Sequence, residues 1–119
     1  MGSISSYKEL IVWQKSISLV KLIYECTASF PQDEKFGLIS QMNRAAVSIP
    51  SNIAEGWGRN TAKNYIQFLR TARGSLFELE TQLLIAVELK YITDCMEIEK
   101  LIVEISKMLN SLIKKLEMK

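Results

Sequence analysis

Residues 94–116 read DCMEIEKLIVEISKMLNSLIKKL. Ile98, Leu101, Ile102, Ile105, Met108, Leu109, Leu112, Ile113 and Leu116 recur at intervals of three and four, the spacing that brings side chains onto one face of an α-helix. Asp94 and Glu97 stand in front of this run in the Asp-x-x-Glu pattern of a capping box, in which each side chain satisfies an amide left free at the helix start. Lys114, Lys115 and Lys119 suit the negative pole of the helix dipole at the other end. A helix with one apolar stripe must bury that stripe against something else.

Working outward, three further segments carry the same period. In residues 61–89, capped by Asn60 or Thr61, the stripe is Tyr65, Phe68, Leu69, Ala72, Leu76, Leu79, Leu83 and Ala86. In residues 34–56, behind the Phe30-Pro31-Gln32-Asp33 break, Asp33 is the expected cap, and Ile39, Met42, Ala46, Ile49, Ile53 and Trp57 form the core face. Pro50 falls within that run, where it removes an amide donor and crowds the carbonyl of Ala46, so a kink is expected; the stripe continues in phase across it, so the helix is not expected to end there. Gly56 and Gly58 then supply a left-handed terminus. In residues 7–29, opened by a Ser6-x-x-Glu9 capping box, the stripe is Leu10, Trp13, Ile17, Val20 and Tyr24, with Leu19, Ile23 and Cys26 adjoining and Gln14, Ser18, Lys21 and Glu25 opposite. Four helices of similar length, over about residues 7–29, 34–56, 61–89 and 95–117 and joined by connections of about four residues, predict an all-α fold: an antiparallel up-and-down four-helix bundle, kinked in helix 2 at Pro50 and forming one domain over residues 1–119.

Composition narrows the function. Histidine is absent from all 119 residues, which removes the commonest general base and metal ligand, so neither a catalytic nor a metal site is expected. No cofactor is expected either. Asn52 and Glu55 invite a catalytic reading, but a polar pair beside a proline more often bonds to local backbone. Cys26 and Cys95 lie outside any Cys-x-x-Cys spacing and read as free thiols, brought to the same end of the bundle. The longest apolar runs, Leu10–Trp13 and Leu83–Val87, are too short to span a bilayer, and no signal segment is evident, so a cytoplasmic protein without membrane contact is expected. Met1-Gly2 with Ser6 fits the myristoylation pattern only as short patterns often do by chance.

Two features remain. Ile66, Phe77 and Leu84 lie about 100° from the core stripe of helix 3, and Ile11 and Leu22 lie on the polar side of helix 1, which reads as a subunit interface. Gly74, in mid-helix, allows close approach of another backbone. No acidic residue occurs between Glu55 and Glu78, while Arg59, Lys63, Arg70 and Arg73 do. In helical phase they form a basic stripe at the start of helix 3, where free amides and Gly56 and Gly58 suit a phosphate. The plainer alternative is a solvated face. Tyr65 belongs to the apolar stripe, so the aromatic interleaving of a single-strand binder is not evident.

The runs Arg44-Ala45-Ala46-Val47-Ser48-Ile49-Pro50-Ser51-Asn52-Ile53-Ala54-Glu55-Gly56 and Ala72-Arg73-Gly74-Ser75-Leu76-Phe77-Glu78-Leu79-Glu80, with Gln41, the opening Leu10-Ile11-Val12-Trp13-Gln14-Lys15 and the Phe30-Pro31 turn, resemble the bacterial four-helix bundle family encoded within 23S rRNA intervening sequences. The resemblance implies a ring of antiparallel bundles, typically a homopentamer, and supplies no catalytic residues. A similar protein, the accessory variability protein of diversity-generating retroelements, is a more basic pentamer that binds a reverse transcriptase and nucleic acid. The expected function is therefore a non-catalytic homo-oligomer associated with RNA or DNA through helix 3. The alternative is an oligomeric scaffold or accessory subunit with a protein partner.

Overall fold

Each apolar segment forms one α-helix in the computed structural model, which describes residues 4–118. They are α1 (Ile11–Thr27), α2 (Leu38–Trp57), α3 (Ala62–Glu88) and α4 (Met96–Glu117), with 3₁₀ turns at Tyr7–Glu9 and Gln32–Glu34. No strand occurs among the described residues. Met1, Gly2 and Lys119 lie outside them, and with them the myristoylation pattern and the last of the dipole lysines.

Local bonding explains where the helices begin. Ser6 caps the first 3₁₀ turn and not α1: its Oγ accepts from the Lys8 N–H at 3.2 Å, and Glu9 reaches past it to the Ser5 N–H at 3.1 Å. Leu10 is extended, so α1 starts at Ile11. Gly37 stands at the N-cap of α2, and the carboxylate that satisfies the helix's first amide is that of Glu34 and not Asp33, with Oε1 accepting from the Leu38 N–H at 3.1 Å. At α3, Thr61 Oγ1 accepts from the Asn64 N–H at 3.2 Å. At α4, Asp94 accepts from the Met96 N–H at 3.1 Å, but the carboxylate that reaches back is that of Glu99, 2.8 Å from the Cys95 thiol.

The helix ends correct the glycine reading. α2 runs on through Pro50; Gly56 is helical, and Gly58 follows it with a right-handed φ of −81°. Gly56 serves packing, since a Cβ there would stand 2.8 Å from the Cβ of Phe68 on α3. The left-handed residue among those described is Lys90, at φ 64°, just after α3. There the Tyr91 N–H donates to the Ala86 carbonyl and the Lys90 N–H to the Val87 carbonyl, each at 2.9 Å. This is the double closure of a Schellman end, built without its usual glycine.

α1 and α3 each pack closely on both α2 and α4, whereas the backbones of the diagonal pairs stay farther apart among the described residues. Between them Leu19, Ile23, Met42, Ile49, Ile53, Leu69, Leu76, Leu79, Leu83, Ile105 and Leu109 are fully buried. Each such side chain contributes roughly 1.5–3 kcal/mol relative to exposure. On α2 and α4 the buried line follows the expected stripe; on α3 it does so from Leu69 to Ala86, joined by Gln82, but it starts at Ile66, with Tyr65 and Phe68 only half-buried. On α1 it does not: Ile17 and Tyr24 are 44% and 48% exposed, and the seam is Val12, Ser16, Leu19, Ile23 and Thr27. Two hydroxyls occupy seam positions because each is satisfied there. Ser16 Oγ donates to the Val12 carbonyl at 2.7 Å, and Thr27 Oγ1 to Asn43 Oδ1 at 3.0 Å.

Cys26 and Cys95 are free thiols. Burial, helped by the hydrogen bond to Glu99 and the charges of Glu99, Asp94 and Cys26, pushes the Cys95 thiol up to about 11. No helix among the described residues is long and apolar enough to cross a membrane.

Candidate functional site

The first half of α3 carries Lys63, Arg70 and Arg73, and the turn before it carries Arg59. Arg59 leaves the row. Its guanidinium stands 3.5 Å from Glu55 and 4.6 Å from the centre of the Phe68 ring, so it folds back over the α2–α3 junction. Arg70 and Arg73 turn the other way, toward α4: Arg70 Nη2 donates to Glu117 Oε2 at 2.8 Å and Arg73 Nη1 to Asn110 Oδ1 at 2.9 Å.

These two bonds bring a second set of cations into the site. Lys107 and Lys114 stand three residues before and four after Asn110 on the outward side of α4, both exposed, and Lys107 also borders the α1–α4 groove. The cluster is then Lys63, Arg70, Arg73, Lys107 and Lys114. Two acid-free stretches, 56–77 and 105–116, lie against each other, and Glu117 is the one carboxylate bonded within the cluster. Arg73 bonds a neutral amide and keeps its full charge. The Arg70–Glu117 pair has both side chains 48% exposed, the setting in which an ion pair is worth about 0–1 kcal/mol, so a phosphate can displace the glutamate. Sequence reasoning found the α3 half of this cluster and missed the α4 half, although the acid-free run before Glu117 was its signal.

The phosphate pocket expected at the start of α3 is not built as read. Gly56 is packed against Tyr65 and Phe68, and the Asn64 amide is taken by Thr61. Tyr65 is half-buried, and burial pushes its phenol upward. Asn52 Nδ2 donates to the Ser48 carbonyl at 2.8 Å and to Ser48 Oγ at 3.0 Å, and Ser48 Oγ is 2.9 Å from Ser75 Oγ. Asn52 thus belongs to a polar link between α2 and α3, while Glu55 faces Arg59. No group of three or more acidic or thiol side chains able to hold a metal ion occurs among the described residues.

The five apolar residues read as an interface do not share one surface. Ile66 is only 8% exposed and lies in the chain's own core, beside Leu116 of α4, which takes it off the strip. Phe77 and Leu84 are 50% and 53% exposed on α3. Ile11 and Leu22 lie in grooves between α1 and α4, Ile11 beside Met108 and Leu22 beside Leu101. The larger exposed apolar surface on α1 is the one misread as core: Ile17 and Tyr24, with Val47 across the α1–α2 groove.

A family model described as 23S rRNA-intervening sequence protein matches residues 8–111. Among solved structures, one from Bacteroides thetaiotaomicron VPI-5482, described as a protein with unknown function from the S23 ribosomal protein family, is 28% identical. It superposes with a TM-score of 0.78 over 87% of this chain and 99% of that one. No curated protein matches the chain.

Proposed function

The chain belongs to the 23S rRNA-intervening sequence protein family, and on that premise we propose that it is a non-catalytic, oligomeric protein of the cytoplasm that associates with RNA through the cationic cluster of α3 and α4. The observation that carries this reading is the juxtaposition of the two acid-free stretches by the Arg70–Glu117 and Arg73–Asn110 bonds. Cations held along two helices meet a phosphate backbone at several points, which positions a strand without reading its bases. The absence of histidine supports a binding role over a catalytic one.

The architecture that goes with this reading is a single-domain, antiparallel up-and-down bundle with α2 bent at Pro50, assembled as a homopentameric ring. Between α3 and α4 the bonded partners run in opposite order, 70 with 117 and 73 with 110, which supports antiparallel neighbours. The Tyr7 ring, 5.3 Å from Trp13 and 6.4 Å from Trp57, ties the start of α1 to the end of α2 in the same sense. The half-exposed Phe77 and Leu84 support assembly. In a ring the cluster repeats with each copy, so a net charge of only +2 per chain becomes a concentrated field.

Fluorescence anisotropy of a labelled single-stranded RNA tests the proposal. Affinity should fall with salt, by about 0.7 in log K per log unit for each phosphate neutralised. Replacing Arg73, Lys107 and Lys114 together by alanine should reduce that slope by about 2, whereas Arg59→Ala should leave it unchanged. Undetectable binding at low salt overturns the reading. An RNA-independent protein partner retained at high salt would favour the scaffold alternative.

A further inference from the structure

We propose that the hollow between the start of α3 and the end of α4 receives one unpaired base of the bound RNA and favours a base that carries an exocyclic amino group. The inference rests on the RNA-binding part of the function proposed above. The cations of the cluster read no base; the hollow beside them has the shape and chemistry to do so.

Its volume is about 320 Å³, at the small end of the roughly 300–1,000 Å³ usual for ligand pockets, room for one base and not for a stack of them. The floor is apolar: Ile66 is 8% exposed, and Ala62 and Leu116 are half-buried beside it. A flat ring laid on such a floor takes apolar surface out of water on both partners. The rim is polar. Lys63 and Arg70, both exposed, stand on α3 seven residues apart, about 10 Å along the helix, so a cation flanks the floor toward each end. A base seated between them sets the phosphates before and after it against positive charge.

Two rim groups can meet the edge of the base. The Gln67 amide both donates and accepts, and the Glu117 carboxylate only accepts. Cytosine presents an amino donor where uracil presents a carbonyl oxygen, so the carboxylate accepts from the first and repels the second. Glu117 is held at 2.8 Å by Arg70, and the phosphate that draws Arg70 away frees the carboxylate for the base. A second hollow touching the cluster, beside Lys107 between α1 and α4, is lined by neither an amide side chain nor a carboxylate. The α3–α4 hollow therefore joins an apolar floor, flanking cations and base-reading groups in one place.

The test compares a short oligocytidylate, an oligouridylate and an RNA duplex of equal length by fluorescence anisotropy at one salt concentration. A surface that only counts phosphates prefers the duplex, whose charge density is higher, and treats the two single strands alike. With a base in the hollow, oligocytidylate should bind about fivefold more tightly than oligouridylate, and more tightly than the duplex. Glu117→Gln supplies an amide that accepts from cytosine or donates to uracil, so the preference should disappear; a glutamate that merely competes for Arg70 would raise both affinities and leave their ratio unchanged. Ala62→Leu, which fills the hollow, should also abolish the preference while keeping the salt dependence. Circular dichroism checks that each variant keeps wild-type helicity, and if Ala62→Leu does not, Glu117→Gln alone decides. Failure to bind any RNA at low salt overturns the RNA reading itself. Salt-dependent binding with the two strands alike, with the duplex preferred, or with a preference that survives either substitution in a folded variant overturns this inference alone.

Discussion

One carboxylate, that of Glu34, ties the start of α2 to the turn after α3. Oε1 accepts from the Leu38 N–H, and Oε2 accepts from the Tyr91 hydroxyl at 2.7 Å, beside the packed rings of Phe30 and Tyr91. The Tyr91 bond, then the Leu38 amide, hold the Glu34 carboxyl below its ordinary range; the same hydrogen bond pushes the Tyr91 phenol up. The signs follow separately. A lowered carboxyl stabilises the fold above the ordinary glutamate range, and that contribution is lost as pH falls through the lowered value. A raised phenol contributes fully below the ordinary tyrosine range and loses its contribution as pH rises through the raised value. Tyr91→Phe should therefore lower the urea midpoint at pH 7, and the gap from wild type should narrow below about pH 4. A gap unchanged between neutral and acid pH would assign Tyr91 a packing role only. At this scale the sequence misleads by one position: Asp33 is the better cap by residue type, yet the carboxylate that crosses the turn at residues 35–37 to the first amide of α2 is that of Glu34.

Among the elements, α1 shows how a helix is legible while its orientation is not. The period of three and four marks the helix whichever stripe is chosen, and two adjacent stripes compete. The one with more and larger apolar groups, through Trp13, Ile17 and Tyr24, is half-exposed; the one that holds Ser16 and Thr27 is buried. Hydrophobicity counts a hydroxyl as polar, but a hydroxyl that donates to a carbonyl of its own helix or to a neighbouring side chain enters the core at little cost. Leu19→Ala should cost about 2–5 kcal/mol in chemical denaturation, because Leu19 is fully buried. Ile17→Ala, measured on dilute single chains, should cost within about 0.5 kcal/mol. Equal losses would restore the Ile17 stripe to the core. α2 and α4 posed no such competition, and α3 only at its start, where Ile66 is buried and Tyr65 and Phe68 are half-buried; elsewhere the seams are apolar almost throughout and the stripes were read in phase. The cationic cluster falls between these cases. Arg70 and Arg73 share a helix and were found together; Lys107 and Lys114 join them only through the lateral packing of α3 on α4, which no local window contains.

For the whole molecule, a charge of +2 understates the field because the charges are segregated. Lys63, Arg70, Arg73, Lys107 and Lys114, offset by Glu117, leave a cluster of net four positive charges on one flank, while the second half of α3 is acidic. A single chain can then neutralise about four phosphates, which bounds its salt slope on single-stranded RNA near −3. In the proposed ring several such clusters would face one strand, and once the first is engaged the others would bind at high effective concentration. RNA length separates the two contributions in the wild-type protein, because an RNA of only a few nucleotides meets one cluster whatever the assembly. Its expected salt slope is the single-chain bound, whereas an RNA long enough to reach two clusters should bind at least about tenfold more tightly and with a steeper slope. If the long and the short RNA bind alike, the ring adds no avidity.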